Sequence, residues 1–568
     1  MKKFIFAVLL LIINYSCKKP AEKDREFDNY SAIEFTAVNE KMINDLDLLG
    51  KIWGFLKYHH HKIGKGNYNW DYELFRILPH YLKVENNTER DKLLLDWINK
   101  YGEIPVCANC QTTSSDAYIK PNLLWLENSD LNDDLKKKIQ EIYSNRLKGK
   151  HYYVKLAFRI KNPLFINENP YTDMPYPDAG FRLLALYRYW NMIQYFFPYK
   201  YVTDKKWDDV LKEYIPIFIS AKDELEYELA TLQIIGEIND THANLWAGGD
   251  KIDRLKGNNY APFRVQFVEQ KLIVTDYYNP ELKEVSCLKI GDIITHINGK
   301  TIDYIVDSIK NYYPASNEAA KLRNISFDLL RSTDDSITIQ YISSGQSKQK
   351  TLSLYPRNTI NLYRYKINQN EKCYKLLDGN IGYITLANIR DEDVHSIRKG
   401  FKNTKGIIID IRNYPSANVM SQLGSFFISK STHFVKFTNG NVNNPGEFVF
   451  RTGGKIYNTN KTYNGKLVVI VNELTQSSAE YTAMAFRAGD NTTIIGSQTA
   501  GADGNISTIL LPGGLMTWIS GIGVYYPDGT QTQRIGIVPD IIVEPTINGI
   551  KEGKDELLEK AIEIIEQL

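Results

Sequence analysis

The sequence predicts a multidomain α+β protein, and three observations carry that prediction. The chain has 568 residues, more than one hydrophobic core accommodates, so about three domains are expected. Apolar residues recur at helical spacing in the N-terminal part, short alternating strands follow, and buried-strand runs then alternate with helical stretches. We therefore expect an N-terminal helical domain, a β-rich domain and an α/β core, in that order.

The composition is that of an ordinary globular chain. Hydrophobic residues make up 43% and charged residues 24%, and the net charge is only +2. The aromatic share of 12% argues against disorder. Because no basic run is long enough to follow a phosphate backbone, nucleic acid is not expected as a partner.

The N-terminus has the pattern of an export signal. Lys2 and Lys3 precede the apolar stretch Phe4–Ile13, which is too short to span a bilayer and suits a signal peptide. Cys17 follows the small residue Ser16 at the end of this stretch. The sequence therefore predicts a signal segment over residues 1–17 and a linker over residues 18–40.

The Ser16-Cys17 pair resembles the lipobox of bacterial lipoproteins, although Asn14 stands where that motif usually has Leu. The alternative is an ordinary cleaved signal with an incidental Cys. The resemblance implies a lipid on Cys17 that anchors the protein to a membrane. It also implies the cell envelope of a bacterium as the location, facing the periplasm or the cell exterior.

Among the remaining cysteines, Cys107 and Cys110 form a lone Cys-x-x-Cys pair. A zinc site would need a second pair, and no βαβ context suggests a redox centre. In an oxidising compartment we expect a small local disulfide. No metal or cofactor is expected, and His59–His61 are expected at a solvated helix end.

An internal repeat predicts two related helical units within residues 41–255. Trp53–Tyr58 recurs 137 residues later as Trp190–Tyr195, and Trp70–Leu74 recurs as Trp207–Leu211 at the same offset. In each copy the Trp-Asp pair is expected to open a second helix. A loop-rich insert separates the copies, and only the second copy ends with a His, His242.

Residues 256–355 read as short strands. The segment Leu288–Lys300 contains a Gly-Asp turn, an apolar strand and the hairpin turn Asn298-Gly299. This stretch resembles a PDZ domain, a fold that takes the C-terminus of a peptide as an added strand. The resemblance implies a polypeptide partner held by its C-terminus, whereas His296 is expected to be structural.

Residues 356–568 read as an α/β domain. The stretch Lys554–Leu568 is expected to be an amphipathic helix that closes it. The buried strands expected in this domain are Ile381–Leu386, Gly406–Ile411, Leu467–Val471 and Thr493–Ile495.

Ser477 lies between a predicted strand that ends at Val471 and a helix-like run that begins at Ala479. At such a turn the hydroxyl can be exposed, and the N–H of Ser478 lies at the positive end of the helix dipole. Serine is also a common helix N-cap, which is the alternative interpretation.

Four segments in order resemble the C-terminal processing (tail-specific) proteases. With the PDZ-like stretch they cover about residues 260–546 and imply a crotonase-like serine peptidase core with Ser477 as nucleophile. The segments are Thr475–Glu480, Asp410–Pro415, Gly496–Gly501 and Gly536–Ile541.

The chain differs from that family at the position of the general base. Those proteases have a Lys where this chain has Ala502, and a methyl group cannot accept a proton. The related tricorn core uses a His instead, in a segment that resembles Ile238–Ala243. That resemblance implies His242 as general base, with Thr241 orienting or satisfying the imidazole, and Gln533 where tricorn has a Glu.

The same resemblance implies an oxyanion hole made by the N–H groups of Ser478 and Ser416. The sequence thus predicts a serine peptidase that cleaves exported proteins or peptides through a Ser–His mechanism. A catalytically inactive peptide- or ligand-binding lipoprotein on the same fold is the alternative, because Ala502, Gln533 and Ser416 all depart from the family pattern.

Overall fold

The computed structural model describes residues 24–35, 38–107, 110, 113–286, 288–362, 371–459 and 462–567. It has the predicted multidomain α+β architecture. Cys17 and the predicted signal segment lie outside the described residues. Among the described helices, none is both long and apolar enough to cross a membrane.

The helical region, residues 40–256, holds most of the largest hydrophobic core. Helices dominate it, with three short strands in its insert. These elements are α1 (Glu40–His59), α2 (His61–Gly64), α3 (Trp70–Tyr81), α4 (Asn87–Asn99), β1 (Ala117–Ile119), α5 (Leu124–Glu127), α6 (Asp133–Ser144), β2 (Val154–Leu156), β3 (Pro163–Phe165), α7 (Ala179–Phe196), α8 (Trp207–Ser220), α9 (Glu224–Gly236) and α10 (Asp250–Lys256).

The internal repeat is a repeat of structure as well as of sequence. The indole of Trp53 donates to the carbonyl of Trp70 at 3.0 Å, and the indole of Trp70 donates back to the carbonyl of Trp53 at 2.9 Å. Trp190 and Trp207 make the same reciprocal pair at 2.8 and 3.0 Å. As predicted, Trp70 and Trp207 each begin a helix.

A buried cluster of charges joins the two halves of the repeat. Arg188 of α7 is fully buried and donates to the carboxylate of Asp71 in α3. Glu168 lies between two cations, 2.7 Å from Lys57 Nζ and 3.2 Å from Arg188 Nε. Two carboxylates thus compensate two cations within the core, which limits the cost of burying them.

The expectation of a solvated end for His59–His61 was wrong for the first two residues. His59 and His60 are 0% and 1% exposed, and burial lowers the pKa of His59 to about 3 and that of His60 to about 4. The insert causes this burial. The ring of Tyr143 packs against His59, and the amide of Leu147 donates to the His59 carbonyl.

The middle region, residues 259–356, has its own hydrophobic core. Its main sheet runs in the order β11-β10-β7-β6-β5, so β5 is an edge strand. The elements are β4 (Asn259–Tyr260), β5 (Phe263–Val268), β6 (Lys271–Tyr277), α11 (Lys283–Ser286), β7 (Ile293–Ile297), β8 (Lys300–Thr301), α12 (Ile302–Ile309), α13 (Glu318–Asp328), β9 (Arg331–Ser332), β10 (Ser336–Ser343), β11 (Gln346–Ser353) and β12 (Tyr355–Pro356).

The core region, residues 374–566, contains the sheet β13-β14-β15-β20-β21-β25, with apolar clusters on both faces. The four predicted strands are confirmed as β14, β15, β20 and β21. The elements are β13 (Tyr374–Leu377), β14 (Ile381–Thr385), α14 (Asp393–Phe401), β15 (Gly406–Asp410), α15 (Met420–Gly424), β16 (Thr432–His433), β17 (Lys436–Gly440), β18 (Phe448–Arg451), β19 (Lys455–Ile456), β20 (Lys466–Val471), α16 (Ser478–Arg487), β21 (Thr492–Gly496), β22 (Ile506–Leu511), β23 (Leu515–Ser520), β24 (Gly523–Tyr525), β25 (Ile541–Ile542), α17 (Ile547–Glu552) and α18 (Glu556–Glu566).

A hairpin of the core region, β22–β23, packs into the helical region. Ile509 and Leu515 belong to the hydrophobic core of that region, and Trp518 stacks on Trp246 with ring centroids 4.5 Å apart. The hairpin therefore brings the C-terminal third of the chain against the segment that carries His242.

The buried charge cluster gives a stability prediction. In Arg188→Leu the carboxylates of Asp71 and Glu168 lose a compensating charge, so we expect the free energy of unfolding to fall by about 3–5 kcal/mol. Urea denaturation followed by tryptophan fluorescence measures it. The exposed Arg254→Leu, on α10, is the matched control and should change stability by less than about 0.5 kcal/mol. Equal effects of the two substitutions would contradict the role given to the cluster.

Candidate active site

Ser477 occupies a strained turn between β20 and α16. Its backbone has φ 56° and ψ −118°, a conformation that a residue with a side chain adopts at a cost of about 1–3 kcal/mol. The amide of Ser477 donates to the Ala502 carbonyl at 3.0 Å and to Glu480 Oε2 at 3.1 Å. These bonds hold a strained, half-buried serine directly before the first turn of a helix.

Glu480 ties this turn to the loop that follows β21. Its fully buried carboxylate accepts hydrogen bonds from the Thr499 hydroxyl at 2.5 Å and from the amides of Gly501 and Ala502 at 2.8 and 3.1 Å. Burial raises the pKa of Glu480, and these hydrogen bonds oppose the rise. The Glu three residues after the serine is therefore a scaffold residue rather than a reacting one.

His242 lies in the loop after α9, next to a buried carboxylate. Its Nδ1 is 2.9 Å from Ser520 Oγ, and that hydroxyl donates to Asp240 Oδ1 at 3.1 Å. Since the hydroxyl hydrogen is used on Asp240, Nδ1 is the donor to Ser520. The neutral imidazole then carries its lone pair on Nε2, which makes no hydrogen bond to the described residues.

Asp240 is the charged anchor of this loop. It is fully buried and also accepts from the amides of Ser520 at 2.6 Å and of His242 at 3.0 Å. Burial alone would raise the pKa of Asp240, but its hydrogen bonds with His242 and Ser520 lower it below the ordinary value. The carboxylate thus stays ionised where it can stabilise a protonated imidazole.

The sequence did not identify Asp240 or Ser520 as site residues. An acid two residues before the candidate base was a signal that could have pointed to Asp240. Ser520 gives no such signal, because it lies 278 residues beyond His242 and reaches the imidazole only through the β22–β23 hairpin.

The role predicted for Thr241, contact with the imidazole, was wrong. The Thr241 hydroxyl donates to the Ala500 carbonyl at 2.9 Å and accepts from the Ser316 amide at 2.8 Å. Ser520 makes the imidazole contact instead. Thr241 therefore binds the His242 loop to the 499–502 loop and to the segment that precedes α13.

Gln533 lies behind the same loop. It is fully buried, and its amide group donates to the Asn239 carbonyl at 3.2 Å and to Ser316 Oγ at 3.4 Å. Its Oε1 is buried without a partner among the described residues. It supports the loop that carries His242, and makes no hydrogen bond to the imidazole.

Ser477 and His242 are held against the same three-residue segment. Ala502 accepts from the amide of Ser477, and Ala500 accepts from the hydroxyl of Thr241, the neighbour of His242. Among the described residues, no hydrogen bond joins Ser477 to His242 itself. The structure therefore brings both predicted residues to one loop but does not pair their side chains.

The two amides predicted as oxyanion donors differ in their hydrogen bonds. The amide of Ser478, at the N-terminus of α16, makes no hydrogen bond to the described residues. The amide of Ser416 already donates to the Leu386 carbonyl at 2.9 Å, so it is not available in this state. The next amide in that turn, of Ala417, makes no hydrogen bond among the described residues.

A cavity of about 1070 Å³ adjoins the site between the middle and core regions. Residues of the edge strand β5 and of α13 line one side, and Glu473 and Leu474 line the other. Arg323 of α13 donates to the Glu473 carbonyl at 2.7 Å and to Gln476 Oε1 at 3.0 Å. This wall of the cavity therefore contacts the turn that ends in Ser477.

Two further sequence expectations concern cysteines and metals. The structure contains a disulfide between Cys107 and Cys110, whose Cα atoms are 5.4 Å apart. It lies in the insert of the helical region. Within the part of the chain that the structure describes, no group of three or more His, Cys, Asp or Glu side chains could hold a metal ion.

Comparison with known proteins finds a family match for part of the chain. Residues 380–543 match peptidase family S41. A stretch of 201 residues is 28% identical to the carboxy-terminal-processing protease of Bartonella bacilliformis and covers 32% of this chain and 43% of that protein. The chain thus matches less than half the length of this relative.

Solved structures show the same fold. Mature CPAF is 14% identical with a TM-score of 0.54, covering 68% of this chain and 98% of that one. A variant of CPAF is 15% identical with a TM-score of 0.56, covering 69% and 98%. The match of residues 380–543 to peptidase family S41 and these structural neighbours support the resemblance to C-terminal processing proteases that the motifs predicted.

Asp503 gives a prediction about pH. Burial and the nearby Glu480 carboxylate hold the pKa of Asp503 well above its ordinary value of 3.8, and its Oδ2 has no partner among the described residues. Because the folded state keeps this proton longer than the unfolded chain does, the contribution of Asp503 to stability is greatest below about pH 4 and falls as the pH rises toward the folded pKa.

We expect Asp503→Asn to flatten this pH dependence and to raise the melting temperature at pH 7. Differential scanning fluorimetry between pH 5 and pH 8 measures both effects. Asp378→Asn, an exposed position, serves as control and should leave the profile unchanged. A profile for Asp503→Asn that is parallel to that of the wild type would contradict the role given to the buried carboxyl.

Proposed function

We propose that the protein is a serine peptidase that hydrolyses peptide bonds of exported proteins or peptides through a Ser–His mechanism. The observation that carries the proposal is the strained backbone of Ser477 at the N-terminus of α16. A capping role does not require this conformation, because helix N-caps are ordinarily extended. Backbone strain of this kind is typical of active sites and ligand-binding sites.

In the proposed reaction, His242 Nε2 removes the proton of the Ser477 hydroxyl while Oγ attacks the carbonyl carbon of the scissile bond. The negative charge on the carbonyl oxygen is held by backbone amides, for which Ser478 and Ala417 are the unpaired candidates. Protonated His242 then gives its proton to the leaving amine, and water hydrolyses the acyl-enzyme by the same steps.

Asp240 supports this cycle through Ser520. Its carboxylate fixes the Ser520 hydroxyl, which in turn fixes the tautomer of His242 that leaves Nε2 free to accept a proton. The family Lys is thereby replaced by a base whose ordinary pKa, about 6.5, suits neutral pH. Closure that pairs Ser477 with His242 would accompany substrate binding, since catalytic hydrogen bonds often tighten only in the complex.

For the substrate we propose a polypeptide whose C-terminal part adds to the edge strand β5. This strand pairs on one side only and borders the cavity whose wall contacts the Ser477 turn through Arg323 and Gln476. Main-chain hydrogen bonds to such an edge accept many sequences, and side-chain pockets select among them. Residues 256–355 would then act as a PDZ-like substrate-binding domain.

For location we propose a lipid anchor on Cys17 in a bacterial cell envelope. The motif around Cys17 supports this, and a second acyl chain would make the anchor stable. Metabolic labelling with an alkynyl fatty acid tests it. Label that persists in Cys17→Ser would refute the anchor.

A second candidate function is a catalytically inactive peptide-binding protein on the same fold. The observation that favours it is the Ser416 amide, which is bound to the Leu386 carbonyl instead of facing the site. Turnover of an unfolded polypeptide separates the two functions. Activity that is lost in Ser477→Ala supports the peptidase, and its absence in the wild type supports the binding protein.

The nucleophile is tested with a fluorophosphonate probe. Wild type should be labelled and Ser477→Ala should not, while the control Ser421→Ala, on α15, should label as wild type. His242→Ala should slow labelling by about 10² to 10⁴, the range for loss of a general base. Label that survives Ser477→Ala, or a rate indifferent to His242→Ala, would refute the assignment.

The anchor of the imidazole is tested with Asp240→Asn. An amide in place of the carboxylate removes the charge that stabilises protonated His242 and permits the wrong tautomer, so we expect kcat to fall by about 10²-fold or more with little change in KM. The pH–rate profile should also shift. A matched fall in melting temperature without a kcat effect would instead make Asp240 purely structural.

A further inference from the structure

A second cavity, of about 990 Å³, lies in the helical region away from Ser477. It is bordered by α1, by the N-terminal end of α8 and by the segment of the insert at residues 119–130. Its size suits a small organic ligand. Polar side chains from both halves of the repeat line it. Comparison of the two halves indicates which charged groups would complete the cavity.

The offset of 137 residues relates this cavity to the buried charge cluster. Asp208 is the counterpart of Asp71, Lys51 of Arg188, and Gln194 of Lys57. All three counterparts line the cavity. In one copy of this arrangement the charged side chains are paired with other groups of the protein. In the other copy the equivalent side chains line the cavity.

The filled copy shows which groups complete the arrangement. The carboxylate of Asp71 receives Arg188 and, at 2.9 Å, the Tyr171 hydroxyl. The carboxylate of Glu168 lies against Lys57 and Arg188. The segment that follows β3 thus supplies both a hydrogen-bond donor and an anion, side by side.

The open copy lacks the donor. Asp208 makes no hydrogen bond or ion pair with the described residues, and its Oδ1 is buried. Oδ1 of Asp47 is buried and unpaired as well, although Oδ2 is 2.7 Å from Lys51 Nζ. Burial raises the pKa of Asp47, Lys51 opposes the rise, and Asp208 adds to it. Unpaired buried carboxylate oxygens are costly, so this side of the cavity requires a donor, ideally a cation.

The open copy also lacks the anion. Lys200 donates to the carbonyl and to Oε1 of Gln194, at 3.1 and 2.6 Å, and has no carboxylate partner among the described residues. Burial lowers the pKa of Lys200 to about 8, and the charge of Asp208, which lies beyond ion-pair distance, opposes the shift. Lys212, which also lines the cavity, makes no ion pair within the described part of the chain. Between them, these lysines leave room for a negative group.

We propose that this cavity binds a small zwitterion, a short peptide or amino acid with free termini. Its ammonium group pairs with Asp208 and Asp47, and its carboxylate pairs with Lys200 and Lys212. Trp125 and Trp207 provide apolar surface for what lies between the two charged ends. The proposal does not rest on peptidase activity, since none of these residues belongs to the Ser477 site.

The test is calorimetric titration of the full chain carrying Ser477→Ala, so that peptides are not cleaved. Trialanine and free alanine are the probes, and their relative affinity tells whether the source is a peptide or an amino acid. N-acetyl-trialanine and trialanine amide, each missing one charge, should bind at least about 10-fold more weakly than trialanine, as expected for loss of one charge-assisted hydrogen bond. Putrescine, which has ammonium groups only, should bind weakly too.

The matched variants are Asp208→Asn and Asp209→Asn, neighbours on α8 of which the second is exposed. Asp208→Asn should weaken trialanine binding about 10-fold or more, and Asp209→Asn should not change it. Without ligand, Asp208→Asn should melt close to the parent temperature, because Asp208 is only partly buried and makes no hydrogen bond or ion pair with the described residues.

Three results would overturn the proposal. The first is the absence of saturable binding by both trialanine and alanine. The second is trialanine affinity unchanged by Asp208→Asn, which would place binding elsewhere, for instance in the cavity beside Ser477. The third is putrescine binding as tightly as trialanine, which would mean that the site selects cations alone.

Discussion

The site depends on one buried carboxylate, that of Glu480. It accepts four hydrogen bonds, from the Ser477 amide, the Thr499 hydroxyl and the amides of Gly501 and Ala502. A neutral side chain of the same shape could not accept all four, because an amide offers one acceptor oxygen and two donors. Glu480 therefore fixes both the strained turn at Ser477 and the loop that the His242 segment contacts.

Three regions of the chain converge on that loop. The helical region contributes Thr241, the middle region contributes Ser316 through the Thr241 contact, and the core region contributes Ser477. None of these regions contains a complete site. The relative placement of the regions consequently decides whether Ser477 meets His242, and the cavity beside α13 is where a bound polypeptide would act on that placement.

Local sequence predicted what depends on local physics. The strands of the core, the helices opened by Trp70 and Trp207, and the strand-to-helix turn at Ser477 all follow from periodicity and from motifs of a few residues. Local sequence could not predict the contacts that depend on packing between segments distant in the chain. Ser520 reaches His242 only because β22–β23 enters the helical core, and His59 is buried between α7 and the insert, which contribute Tyr195 and Tyr143. The Ser416 amide is unavailable as an oxyanion donor for a similar reason, because it donates to the carbonyl of Leu386 at the end of another strand.

The internal repeat places two related arrangements of charged side chains in the helical region. One arrangement combines Arg188 of the second repeat unit with Asp71 and Lys57 of the first, and Glu168 and Tyr171 complete it with protein groups. The other arrangement combines Lys51 of the first repeat unit with Gln194 and Asp208 of the second and lines the open cavity, and only the second unit is followed by His242. Asp204 lies on the wall of that cavity and accepts a hydrogen bond from the side chain of Asn239, the residue before Asp240. Asp204 also forms an ion pair at 2.6 Å with Arg534, the residue after Gln533. The Asp204–Arg534 ion pair thus lies between the wall of the open cavity and the loop that carries His242.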